Sequence, residues 1–126
     1  MTLVVPGAGV TLTLVDLDRS ERDLVWFTAR AEGDGLSAEV SVETLHGDSL
    51  DTFAAGLDRD FRGWTGTRTW TSFRSDLELS AAHTGRVVEL VWTLRRHGWE
   101  CTVRTPVTPG EELRRFSADV AEFLVS

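Results

Sequence analysis

The sequence has no lysine, asparagine, glutamine, isoleucine or tyrosine, one cysteine, one methionine and three prolines in 126 residues. Each gap excludes some chemistry. Without lysine there is no side-chain amine for a Schiff base, and without tyrosine no phenolic acid. Without side-chain amides the usual bidentate reading of adenine is lost. A lone cysteine, Cys101, has no intramolecular disulfide partner, which fits a reducing compartment. Lys, Asn, Ile and Tyr codons are AT-rich, so their joint absence points to a GC-rich source genome. No apolar run approaches the ~20 residues of a membrane-spanning helix. The start, Met1 to Pro6, has no basic leader, so no signal peptide is expected and the cytoplasm is the predicted location.

The charge is one-sided. Twenty carboxylates face 13 arginines, for a net charge of −7. Phosphate contacts supply most nucleic-acid affinity and need the opposite sign, so no nucleic-acid partner is expected, and without a long apolar run no membrane partner is expected either. An acidic surface instead favours encounter with a basic protein. The length suits a single domain over residues 1–126, able to bury roughly two-thirds of its unfolded surface without a metal or disulfide staple.

Periodicity predicts the elements. Thr11 to Val15 and Leu24 to Ala31 read as strands. Gly33-Asp34-Gly35 makes a hairpin turn, after which Leu36, Ala38, Val40 and Val42 alternate with polar residues. Leu50, Phe53, Ala54, Leu57 and Phe61 form a helical stripe, with Asp48 or Ser49 as cap and Gly63 as stop. One long or bulged strand is expected in Arg68 to Ala82. Two more follow, through Val88 to Leu94 and with Trp99, Cys101, Val103, Thr105 and Val107 on one face. Thr108-Pro109-Gly110-Glu111 reads as the start of a last helix buried through Leu113, Phe116, Val120 and Leu124.

The halves align with each other. Leu24-Val25-Trp26 matches Leu90-Val91-Trp92 at an offset of 66, and Val40, Leu50, Phe53 and Ala55 match Val103, Leu113, Phe116 and Ala118 at 63. This order predicts an α+β fold of two tandem βββα pseudo-repeats, about 10–62 and 67–126. They are expected to form a mainly antiparallel six-stranded twisted sheet with both helices on one face.

No catalytic, cofactor or metal motif is present. His46, His83 and His97 are too far apart for a local metal site and sit in or beside turns. Cys101 reads as a small core residue. Asp16 and Asp18, and Asp58 and Asp60, are carboxylate pairs best read as solvated charge. No catalytic residue, cofactor or metal is therefore assigned. Phe61 to Arg74 stands out by mixing arginine with aromatics. Trp64, Trp70, Arg62 and Arg68, beside Asp58 and Asp60, are residue types of protein-binding hot spots. Core packing and base stacking are the alternatives for the same segment.

The run Phe53-x-x-x-Leu57-x-x-x-Phe61-Arg62-Gly63-Trp64-x-Gly66-x-x-x-Trp70, with Leu77-x-Leu79, Val87-Val88-x-Leu90-x-Trp92-x-Leu94-Arg95 and Pro109-Gly110-Glu111, resembles an actinobacterial family, domain of unknown function 6228. More distantly, the layout is similar to the immunity proteins of wall-associated polymorphic toxins, although Gly85-Arg86 stands where those have Gly-His. The resemblance implies a non-enzymatic protein-binding module that caps a basic protein partner such as a toxin. A small-molecule binder or enzyme with a pocket between sheet and helices, and a structural homo-oligomer, are the alternatives.

Overall fold

The computed structural model describes residues 1–126. Strands β1 (Leu3–Pro6), β2 (Val10–Asp18), β3 (Leu24–Gly33) and β4 (Leu36–Leu45) pair in sequence order as one antiparallel sheet. Strands β5 (Thr67–Thr71), β6 (Leu77–His83), β7 (Val88–Arg96) and β8 (Trp99–Arg104) pair in the same way as a second. Helix α1 (Leu50–Arg59) follows the first sheet and α2 (Glu111–Leu124) the second.

The fold is α+β with two antiparallel units, but the expected single six-stranded sheet is corrected to two four-stranded sheets. Two strands escaped the pattern. β1 has only four residues, too few to establish an alternation. The expected long strand of Arg68 to Ala82 is a hairpin, because the chain reverses between Ser72 and Leu77. There the Ser72 carbonyl accepts the Ser75 N–H, the Ser72 hydroxyl accepts the Leu77 N–H, and Ser75 turns left-handed at φ 64°.

Each sheet buries one face. Register aligns Leu3, Leu14, Ala29 and Val40 across the first sheet, and Trp70, Leu79, Trp92 and Val103 across the second. Both rows join one cluster of 27 buried apolar residues. Each fully buried leucine in it contributes about 1.5–3 kcal/mol through removal from water. The helices pack on each other. α2 ties the sheets together, with Phe123 edge-on to Phe27 at 5.6 Å and Phe116 edge-on to Trp92 at 6.2 Å. The units also meet at Gly7, where a Cβ would lie 2.5 Å from the Arg104 carbonyl oxygen, so only glycine fits.

The helix ends depart from the sequence reading. Neither Asp48 nor Ser49 caps α1 with its side chain. His46, Gly47, Asp48 and Ser49 instead form a turn with all four φ angles positive, at 54°, 83°, 50° and 62°. Each non-glycine residue in that conformation costs roughly 1–2 kcal/mol. α1 also stops at Arg59, short of Phe61, which is exposed, and Phe53 is only half-buried. α2 begins at Glu111, and it is Glu112 whose carboxylate accepts the Thr108 N–H, at 2.9 Å. The Pro109-Gly110 turn carries the chain one residue further before the helix begins.

Two further expectations are corrected. Trp99 is 40% exposed, at the exposed β7–β8 turn, and Cys101 is half-buried, packed against the edge of the core. The match of Trp26 to Trp92 fails in three dimensions. Trp92 is fully buried, whereas Trp26 lies on the outer face of its sheet, in register with Asp18 and Glu43. Three of the four matches at an offset of 63 pair like with like: Val40 and Val103, and Leu50 and Leu113, are buried, and Ala55 and Ala118 are exposed, whereas Phe53 is half-buried and Phe116 buried.

Candidate functional site

The arginine and tryptophan segment after α1 folds back on itself. Arg68 lies over the Trp64 ring at 4.6 Å and pairs with Asp60 at 2.9 Å, and Arg59 reaches the same carboxylate at 3.1 Å. These two guanidiniums hold the Asp60 carboxyl below the usual carboxylate range. The Trp64 indole N–H donates to the Ala81 carbonyl at 3.3 Å, and His83 packs edge-on against the ring at 5.3 Å. Trp64, Arg68 and Asp60 thus come together, and each is occupied within the chain. Arg62 stacks on exposed Phe61 at 5.7 Å, apart from that cluster, and Asp58 joins no ion pair.

Trp70 does not belong to a surface. It is 6% exposed, in the inner row of the second sheet, so its expected place at a partner interface is corrected to a place in the core. Hydrophobic burial decides this, since position 70 faces inward with Leu79 beside it.

The histidines also separate. His46 is exposed, 3.6 Å from Asp23, and His97 is exposed in the β7–β8 turn. No three His, Cys, Asp or Glu side chains converge closely enough to hold a metal ion. Desolvation pushes the Cys101 thiol up.

The acidity is concentrated elsewhere. Residues 1–49 hold nine carboxylates and three arginines, whereas residues 50–126 hold eleven and ten, so the stretch that forms the first sheet carries −6 of the net −7. On the outer face of its sheet, β2, β3 and the β2–β3 turn enclose an open cavity of about 360 Å³. Asp16, Asp18 and Glu21 line it, Trp26, Thr28 and Ser41 complete much of its wall, and no arginine does. A β-bulge between Val15 and Asp18, with Asp16 at φ 56°, shapes its rim. Asp18 accepts the Ser20 N–H at 2.7 Å, which draws its carboxyl below the ordinary range.

Sequence reasoning read Asp16 and Asp18 only as solvated charge. The alternation of Val25, Phe27 and Ala29 was the available signal that Trp26 points outward. The bulge that gathers the carboxylates around it had no sequence mark.

The site and sheets define a two-unit α+β domain with an acidic, tryptophan-bearing cavity on one wet face. The chain belongs to the family of unknown function DUF6228, whose model matches residues 4–126. No curated protein matches it. No helix is long and apolar enough to cross a membrane.

Proposed function

We propose that this chain is a non-enzymatic, cytoplasmic protein-binding module whose acidic first sheet receives a basic protein partner. One observation carries the reading: three carboxylates surround the half-buried Trp26 in a cavity that no arginine of the chain lines. An excess of negative charge beside an indole face suits an incoming arginine or lysine, by Coulomb attraction and by cation–π contact. The specific form of the reading is an immunity protein of an actinobacterium, capping the basic surface of a toxin. The layout resemblance supports that form, and so does the net charge of −7. At the surface first expected, around Trp64, Arg68 and Asp60 are already paired with each other, so the sheet face is the better candidate for the binding role.

The test is affinity capture from a strain that carries the gene, with mass spectrometry of what is retained. Wild type is expected to retain a basic protein, and Trp26→Ala or the pair Asp16→Arg and Asp18→Arg to release it. Raising salt should slow association more than it speeds dissociation. Capture that is indifferent to these changes would refute the reading.

A further inference from the structure

A second cavity, also about 360 Å³, is lined by the consecutive residues Leu3, Val4, Val5 and Pro6 and by α2. Side chains of a strand alternate between its faces, so a cavity touching four consecutive residues runs along the strand's edge. β1 is the first strand of its sheet, and no strand pairs with its outer side.

The register shows which backbone groups face this slot. Gly7 donates its N–H to the Val10 carbonyl at 2.7 Å, which makes Gly7 and Val10 a hydrogen-bonded pair. Such pairs alternate along an antiparallel ladder. Val5 with Leu12, and Leu3 with Leu14, are therefore hydrogen-bonded pairs too, whereas Val4 with Thr13 and Pro6 with Thr11 are not. The N–H and C=O of Val4 consequently point away from β2, into the slot, and Pro6 presents only a carbonyl there. Pro6 fits because its missing N–H would have faced outward. Across the slot, α2 presents Glu112, Arg115, Phe116 and Asp119, at helical spacing, with Val107 beside them. Arg115 and Asp119 join no ion pair.

We infer that this slot takes one extended segment of another protein, basic and apolar in alternation, as an added strand on the free edge of β1. The backbone of that segment pairs with Val4, its apolar side chains rest on Phe116 and Val107, and its positive charge meets Asp119 and Glu112. Strand addition is a general mode of peptide recognition in which the edge backbone supplies affinity and alternate side chains supply specificity. Charge selects the occupant. Two carboxylates outnumber one guanidinium along the slot, and a second copy of the chain would bring a further net charge of −7. The inference does not rest on the Trp26 cavity.

The probe is a blocked peptide of about six residues, the usual strand length, alternating arginine and valine, with a glutamate and valine peptide as control. Residue-resolved hydrogen exchange on the full chain is the readout. The Val4 amide should exchange fast in the free protein and at least about tenfold more slowly with the basic peptide, while the Leu3 and Val5 amides are already protected. Val4→Pro removes the outward N–H without touching the β2 ladder, and should weaken binding about tenfold or more. Asp119→Arg, a surface change, should do the same if Val4→Pro proves unstable, and Trp26→Ala should leave binding intact. Equal binding of the acidic peptide, retention by Asp119→Arg, or no change at Val4 with millimolar basic peptide overturns the proposal. So does Val4 protection that rises with protein concentration alone, which would assign the slot to a second copy.

Discussion

The indole N–H of Trp70 donates to the backbone carbonyl of Asp48 at 2.9 Å. This bond joins the second sheet to the left-handed turn that links the first sheet to α1. The Asp48 side chain completes the junction, accepting from the Leu45 N–H at 3.1 Å and from the Phe73 N–H at 2.6 Å. A residue in an unfavourable conformation persists when its surroundings over-determine it, and here one residue binds three partners on two units. Trp70→Phe keeps most of the buried ring but strands the Asp48 carbonyl, and should cost about 1–3 kcal/mol in urea unfolding. Asp48→Ala should cost more, because two backbone donors lose a charged acceptor.

The turn itself offers a stabilising change. Ser49 is exposed at φ 62° and makes no capping bond. Ser49→Gly relieves strain of about 1–2 kcal/mol and loses about 0.4–1 kcal/mol to the greater freedom of the unfolded chain. A small rise in melting temperature is expected. Gly47→Ala should do the reverse, since position 47 has φ 83° and a Cβ there would meet the Leu124 side chain at 3.4 Å.

The two helices should respond unequally to the same truncation. Phe116 is 5% exposed and packs edge-on against Trp92, so Phe116→Ala should cost about 3–5 kcal/mol. Phe53 occupies the matching place in α1 but is only half-buried, and Phe53→Ala should cost less. Denaturant midpoints of the two variants check the difference.

Asp60 makes stability depend on pH in a defined direction. Arg59 and Arg68 hold its carboxyl lower in the folded chain than in the unfolded one. Its contribution is therefore complete above the unfolded value and is lost as pH falls through the folded value. The melting-temperature gap between wild type and Asp60→Asn should be widest near neutral pH and close in acid.

Cys101 should label slowly. Its thiol is half-buried and pushed up by desolvation, so the thiolate is scarce at neutral pH. Maleimide labelling of the native chain should lag well behind that of the unfolded chain, as followed by mass spectrometry.

The sequence by itself determined most elements and most of the core. Val40 and Val42, Leu77 and Leu79, Leu50 and Leu113 announce buried faces through period two or the helical stripe, because burial of alternate positions is a local pattern. It also determined the sign of the surface charge, which is a property of composition. Only the tertiary structure decided how the strands divide. A four-residue edge strand and a hairpin at Ser72 to Leu77 leave little periodic trace, so two sheets of four strands looked like one of six. Tertiary structure also decided what surrounds each tryptophan. Trp26 and Trp92 share the local sequence Leu-Val-Trp, yet one floors an acidic cavity and the other is sealed in the core. Alternation within each strand gives the side on which its tryptophan stands, whereas what lies over that side, an acidic rim or a packed helix, comes from residues distant in the chain.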